Sequence, residues 1–484
     1  MAGVNLPPEH KSIARRALLM LTLWLGFWLL ALGLTGLLLW IPFAQSYYRS
    51  SIEFSGAIAA CAAITLAYAL RPRIARDDDQ ASGPPALERE QAPELFTFVE
   101  RIGRDLGIVA PVEIHLVAGA TAYISAKRSW YGRVKALRVG VGLPLFAWLS
   151  EREFGAVIAH EFGHFIGGDL SLGPWVYRTR VSIGATIHSL DESMFFLDAP
   201  FRTYGHWFMR LSGAVSRAQE YSADALSAQH FGAEAACAAL EKIHRLDPLW
   251  TAYLAHDFGP AVDKGARVPI LEGFRRFCEL PVKRHAAQET IASVENRTPS
   301  PYDTHPSLKE RLFALAPKAK PQPYALDQCL HLLGGEPAAE SAWYRRFDAD
   351  QLTETNWEEF GEKVLRPQLE KRFTDTLMAP ERMALTELVT MARELDAWWG
   401  KLRPDSVSFL STEAKRRYVL QIFEDWIIVG LCHHGFTPQV RPGESLVLVR
   451  DQVSVQPDVL LKDACENRVS VQDIEKMISV VRMV

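Results

Sequence analysis

Residues 150–168 read SEREFGAVIAHEFGHFIGG, and this run sets the reading of the rest of the chain. Ser150 stands three residues before Glu153, the spacing of a capping box at a helix start, and Gly167-Gly168 supplies a stop. Between them Phe154, Ala156, Val157, Ile158 and Ala159 give a buried helix. His160 and His164 are one turn apart, so both imidazoles leave one face and can bind one ion, at nitrogen to zinc distances of about 2.0 to 2.1 Å. Glu161 projects at an adjacent angle, where it accepts a proton from water at that ion instead of ligating it. The rival reading is a pair of histidines satisfied by hydrogen bonds in a helical core.

A catalytic zinc needs three protein ligands and an open position, so a third donor has to arrive from elsewhere in the chain. Residues 216–225, SRAQEYSADA, read as a helix that continues through Leu226 and Ala228 to a stop at Gly232. Glu220 and Asp224 lie one turn apart on it and face the same way. Glu220 is assigned as the third ligand, and Asp224 as the carboxylate that fixes a ligand imidazole through its other ring nitrogen. The expected cofactor is one Zn2+ per chain.

The helix His160–His164 followed by Gly-Gly-Asp169, the Glu220-Tyr-Ser-Ala-Asp224 helix, and Thr304-His305-Pro306-Ser307 with Arg311 resemble the integral-membrane zinc peptidases of the HtpX heat-shock protease and CAAX prenyl protease type. The resemblance covers roughly residues 90 to 316. Upstream, Ala136 to Leu143 look like that family's strand and turn leading into the metal helix, and Thr121-Ala122-Tyr123 fall where it has an edge strand over the cleft. The resemblance implies two histidines and a glutamate on zinc, hydrolysis of internal peptide bonds in membrane or misfolded proteins, and an extended substrate paired along the edge strand at Thr121, Ala122 and Tyr123. It makes His305 a candidate donor to the oxyanion of the tetrahedral intermediate, with Arg311 in support. Read from its neighbours alone, His305 sits at a helix start, with Thr304 as cap and Pro306 in the first turn, and a capping or surface histidine stays open. Asp169 is a supporting carboxylate on the resemblance, or simply closes the Gly-Gly turn.

Towards the N-terminus, residues 17–41 carry no charge and at about 1.5 Å per residue can cross a hydrocarbon core of about 30 Å. The run is too long for a signal peptide. A second apolar run, 52–70, holds only Glu53 near its start and is expected as a second span. Lys11, Arg15 and Arg16 flank the first span and Arg71, Arg73 and Arg76 the second, against Arg49 alone in the loop between. Both outer flanks are therefore expected to face the cytoplasm, which gives a multi-pass protein of the cell (inner) membrane with a cytoplasmic catalytic domain. Between 171 and 215, where many relatives carry further spans, Arg178, Arg180, Asp191, Glu192, Asp198, Arg202 and Arg210 interrupt the sequence, and no further span is expected.

The 484 residues have room for two or three domains, with 48% apolar and 23% charged residues, so most of the chain should fold. A net charge of -4 and no long basic run give no reason to expect a nucleic-acid partner. The six cysteines are scattered and look like free thiols of a reducing compartment. The domains are expected as a membrane anchor over 1–76, a linker over 77–93, a peptidase domain over 94–320 and a C-terminal module over 325–484. In the last, 353–375, 380–402 and 411–433 have helical apolar spacing, followed by a strand pair and a final helix from about Val471. The fold class is thus mainly α with a small β-sheet: an α+β zincin-like catalytic domain, an N-terminal transmembrane helical hairpin and a mostly helical C-terminal module. The expected partners are the lipid bilayer and protein or peptide substrates, membrane proteins among them. The module's role is open between regulating access, binding substrate and driving self-association into an oligomer. Two other classes compete with the endopeptidase: a metal-dependent hydrolase of a non-peptide substrate, and an inactive peptidase-like scaffold.

Overall fold

Two apolar helices open the chain, α1 (Ile13–Arg49) and α2 (Phe54–Ala69). The computed structural model describes residues 13–69, 85–128, 134–166, 183, 184, 198–282, 289, 300–315, 329–347, 351–374, 376, 378–380, 382–402 and 411–479. Gln45 ties the turn between the two helices: its Nε2 donates to Ser55 Oγ at 2.8 Å, and its Oε1 accepts the Glu53 N–H at 3.1 Å. Leu21–Arg49 is long and apolar enough to cross a membrane, and only 11% of its apolar window is buried inside the protein. The core helix of a soluble protein would be mostly covered, so this surface fits a lipid surrounding. Trp40, Phe43, Tyr47 and Tyr48 are exposed together near its end, the placement of an interfacial aromatic belt. The second expected span is shorter than about 20 residues: α2 has 16, so among the described residues one helix has the length to cross.

The described residues divide into two compact units, one of 1–247 with 288–346 and the other of 248–287 with 347–484. The expected boundary near 320 differs from this division, because 248–287 cluster with the C-terminal residues.

In the first unit, α3 (Pro93–Asp105) buries Leu95, Phe96, Phe98, Val99 and Ile102. Strands β1 (Val112–Val117), β2 (Ala122–Arg128) and β3 (Val134–Gly142) form a sheet of order β1-β3-β2, with β1 parallel and β2 antiparallel to β3. The expected linker is already structured at its end: Ala86 bridges to His115, and Leu87 N–H bonds the Ile114 carbonyl at 2.7 Å. Burial of the Leu87 side chain accounts for that order. From β3 the chain turns through the buried α4 (Leu143–Trp148) into α5 (Glu151–Ile166).

The start of α5 is a reciprocal cap. Ser150 N–H donates to Glu153 Oε2 at 2.8 Å and Glu153 N–H to Ser150 Oγ at 3.2 Å. The same Glu153 Oε2 accepts Lys242 Nζ at 2.7 Å, and both side chains are buried. Lys242 belongs to α7 (Ala233–Tyr253), whose residues up to Asp247 lie in this unit, and before it runs α6 (Asp198–Phe231). The first half of α6 packs on α1: Phe201 and Phe208 are fully buried with Leu23, Phe27, Ala31 and Leu66, and the Tyr204 hydroxyl donates to the Leu23 carbonyl. Trp207 stays exposed on the other side of that helix. Helix α8 (Leu308–Leu315) completes the part that matters for the site.

In the second unit, Trp250, Tyr253, Phe274, Phe277 and Trp357 form an aromatic core. Thr353-Glu354 pair in parallel with Ala266-Arg267, so the expected helix over 353–375 begins only at Gly361 and ends at Phe373. Residues 380–402 are broken into short helices, whereas Thr412–His433 is one helix capped by Ser411. The strand pair is a three-stranded antiparallel sheet of Thr437–Gln439, Val447–Arg450 and Val453–Val455, followed by helices Pro457–Cys465 and Val471–Ser479. All six cysteines are free thiols.

The Lys242–Glu153 pair makes one fold prediction. Replacing Lys242 by Met leaves the buried Glu153 without its cation, so thermal unfolding of the Lys242→Met protein should show a loss of about 3 to 5 kcal/mol, while Lys242→Met with Glu153→Gln should recover part of it.

Candidate metal centre

Helices α5 and α6 lie unusually close, because small residues face each other along their contact. A Cβ at Gly163 would come within 2.9 Å of Ala223 Cα, and one at Gly155 would collide with the Phe231 ring. Between these points Ser227 Oγ donates to the Ala156 carbonyl at 2.6 Å, a bond across the two helices. Gly163 is therefore required by the close approach of a neighbouring backbone. The approach carries Glu220, one turn before Ala223 and Asp224, up to the histidine pair.

The donor atoms form a small triangle. His160 Nε2 lies 3.1 Å from His164 Nε2 and 3.5 Å from Glu220 Oε2, and His164 Nε2 lies 3.6 Å from Glu220 Oε1. Four ligands placed tetrahedrally about zinc at about 2.1 Å would stand about 3.4 Å apart, so the three edges fit one such ion with a vertex left for water or substrate. No other group of three such donors among the described residues comes as close together.

Behind the triangle, Asp224 Oδ1 stands 2.9 Å from His160 Nδ1, in contact although the ring N–H does not point squarely at it. Arg311, on α8, grips Asp224 with both arms, Nε to Oδ2 at 2.8 Å and Nη2 to Oδ1 at 2.6 Å, and its Nη1 lies 3.5 Å from Glu220 Oε2. His305 Nδ1 donates to Glu220 Oε1 at 2.9 Å. Burial works against charge on each of these groups, but their partners win. The His160 and His305 bonds hold the Glu220 carboxyl well below the usual carboxylate range, and Arg311 and His160 lower that of Asp224. Asp224 and Glu220 likewise outweigh desolvation at His160 and push it up to about 10. Bonding to Glu220 raises His305, whereas Glu161, enclosed without such a partner, is raised by its burial. These are the electrostatics of a pocket with surplus negative charge, which a bound cation would relieve.

The structure brings His160, Glu161, His164, Glu220, Asp224, His305 and Arg311 into one cleft of about 330 Å³, and Thr121 and Ala122 at the start of β2 line it as well. Tyr123 does not line it: its ring lies over Gly140 of β3, its cross-strand neighbour. Asp169 lies outside the described residues. The α8 cap differs from expectation. Ser307 and Glu310 form the reciprocal box, at 2.8 and 3.2 Å, so Thr304 is not the cap, and His305 and Pro306 precede the helix. Sequence reasoning passed over the cleft's remaining wall, Ala236, Ala239, Leu240, Ile243 and His244 of α7. Its one signal was a histidine at the end of an apolar stripe.

Residues 108–318 match the sequence model of peptidase family M48. That segment is similar to the peptidases of family M48. No curated protein and no solved structure matches the chain. Members of this family depend on a metal, typically zinc, and the donor triangle of His160, His164 and Glu220 is of the kind that could hold it.

Two measurements probe this geometry. Gly163→Val should force α5 and α6 apart and lower zinc affinity by at least about tenfold in a competition titration, with helix content retained by circular dichroism. Asp224→Asn, which weakens the hold on His160 and Arg311, should lower zinc affinity by about 10- to 100-fold in the same titration.

Proposed function

We propose that this protein is a membrane-anchored zinc metalloendopeptidase, and the donor triangle of His160, His164 and Glu220 is the observation that carries the reading. Those three side chains would hold one zinc ion per chain, which when bound supplies a Lewis acid for the scissile carbonyl and acidifies water at neutral pH. Asp224, clamped by Arg311, orients the His160 ring from behind. Glu161 takes the proton of the attacking water at a carboxylate oxygen and returns it to the leaving amine nitrogen. Burial makes this carboxyl a stronger base than an exposed glutamate.

His305 has a mostly exposed side chain whose Nδ1–H is committed to Glu220. Glu220 favours the charged ring, in which Nε2–H is a second donor, free to meet negative charge that develops on the carbonyl oxygen. Strand β2 is bonded to β3 along one edge, and among the described residues its other edge has no ladder partner. An extended substrate that adds to this edge at Thr121 and Ala122 would present its backbone to the cleft. Helix α1 would cross the inner membrane and the shorter α2 would return the chain through a locally thinned bilayer, which leaves the peptidase on the cytoplasmic side, with membrane or misfolded proteins as substrates in quality control.

The decisive variant is Glu161→Gln in the full chain. It should lose at least about a thousandfold in casein cleavage while metal analysis still finds one zinc per chain. A chelator should abolish the wild-type activity and added zinc should restore it. Casein cleavage that survives in Glu161→Gln, or that ignores the chelator, would overturn the reading.

A further inference from the structure

Three residues at helical spacing on α6 hold the segment that leads into α8. Arg217, Glu220 and Asp224 follow one another at three- and four-residue intervals and so share a face. Asp224 is gripped by Arg311, and Glu220 accepts the His305 Nδ1–H. Arg217 makes the remaining hold, farther back along the chain. Its Nη1 donates to the Asp303 carbonyl at 2.6 Å and to the Pro301 carbonyl at 3.2 Å. Among the described residues these two carbonyls are its hydrogen-bond partners, and no carboxylate pairs with it. Arg217 does not line the cleft and lies instead beside Ser300 and Pro301 on its outer side.

The 300–305 segment is shaped to be held in this way. Its own bonds close a turn, with Ser300 N–H donating to Asp303 Oδ2 at 2.9 Å and Asp303 N–H to the Ser300 carbonyl at 3.0 Å. The carbonyls of 301 and 303 then meet α6 at Gly213, one turn before Arg217, where an added Cβ would stand 3.0 Å from the Asp303 oxygen and 3.1 Å from the Pro301 oxygen. A hydrogen bond from a charged donor is about twice as strong as a neutral one, so a guanidinium suits the task. His305 follows two residues after Asp303. Its side chain is mostly exposed, and it belongs neither to that turn nor to the Ser307–Glu310 cap that follows. Packing therefore does little to fix the ring, and its placement rests on the two anchors that flank it, the cap on one side and Arg217 on the other. A misplacement of about 1 Å can cost about 100-fold in rate.

We propose that Arg217 is a positioning residue for peptide hydrolysis: by clipping the Pro301 and Asp303 carbonyls to α6 it sets where His305 presents its Nε2–H to the oxyanion. This inference rests on the peptidase reading and adds to it the residue that places the oxyanion donor. Arg217 touches neither substrate nor the reacting atoms, and Gly213 is the space that lets the clip close.

The test compares zinc-loaded full chains in detergent on labelled casein. Arg217→Met keeps the reach of the side chain and removes its donors. It should lower kcat about 10- to 100-fold, hold KM within about threefold and keep one zinc per chain, and Arg217→Lys should recover part of the loss. In a His305→Ala background, Arg217→Met should lower kcat by less than a further factor of about two, because the group it positions is gone. Hydrogen exchange of the zinc-free chains gives a readout without turnover. The Tyr302 and Asp303 amides, both bonded within the turn, should exchange about tenfold faster in Arg217→Met, with α5 and α6 as protected as in wild type. Should Arg217→Met fail to fold, Gly213→Ala crowds the same two carbonyls and should give the same fall in kcat, again absent beside His305→Ala. Equal losses with and without His305, an unchanged kcat, unchanged exchange at 302 and 303, or loss of zinc in both Arg217→Met and Gly213→Ala would each overturn the role of Arg217, while chelator-sensitive cleavage by wild type leaves the peptidase reading standing. Wild-type chain that leaves casein uncut, or cuts it regardless of chelator, sinks that reading and the proposal with it.

Discussion

The close approach of α5 and α6 at Gly163 and Ala223 is the constraint from which the site follows. A third ligand nearly sixty residues beyond the histidine pair reaches it only where two helix backbones come within contact of each other, and no side chain larger than hydrogen fits at 163. The Ser227 bond to the Ala156 carbonyl and the Phe231 ring over Gly155 set the register of that contact one and two turns away. With the register fixed, Glu220 falls opposite His160 and His164, and Asp224 falls behind them.

Charge balance explains why so polar a cluster can exist in a half-buried cleft. Glu161, Glu220 and Asp224 bring three carboxylates and Arg311 brings one guanidinium, an excess of two negative charges that favours protonated rings at His160 and His305. A divalent ion removes that excess. Arg311 is bound to the carboxylate that contacts His160 and stands 3.5 Å from Glu220 Oε2, so its charge offsets both carboxylates. Buried charges of one sign are costly when unpaired, and the arrangement is best understood as built around a cation.

Much of this was legible in the chain because helical spacing is local. His160 with His164, and Glu220 with Asp224, declare shared faces without knowledge of the fold, and Ser150 with Glu153 declares the start of α5. The cap of α8 was as local, yet Thr304 drew attention ahead of Ser307, whose partner Glu310 closes the box. Other features depend on distant partners. Thr353-Glu354 look like the start of a helix until Ala266-Arg267 are found beside them, and the second compact unit recruits 248–287 by aromatic packing that no local pattern announces. The α7 wall was hidden for a different reason: an apolar stripe that lines a cleft has the same periodicity as one that fills a core.

Helix α6 runs without a break from Phe201, Tyr204 and Phe208, packed on the long apolar helix α1, to Glu220 at the donor triangle. Sixteen residues separate Tyr204 from Glu220, about 24 Å at 1.5 Å per residue. The helix is thus a strut of fixed length, packed at one end on α1 and bearing a member of the donor triangle at the other. A tilt or axial shift of α1 against the rest of this unit would therefore be carried along the strut to the carboxylate at its far end.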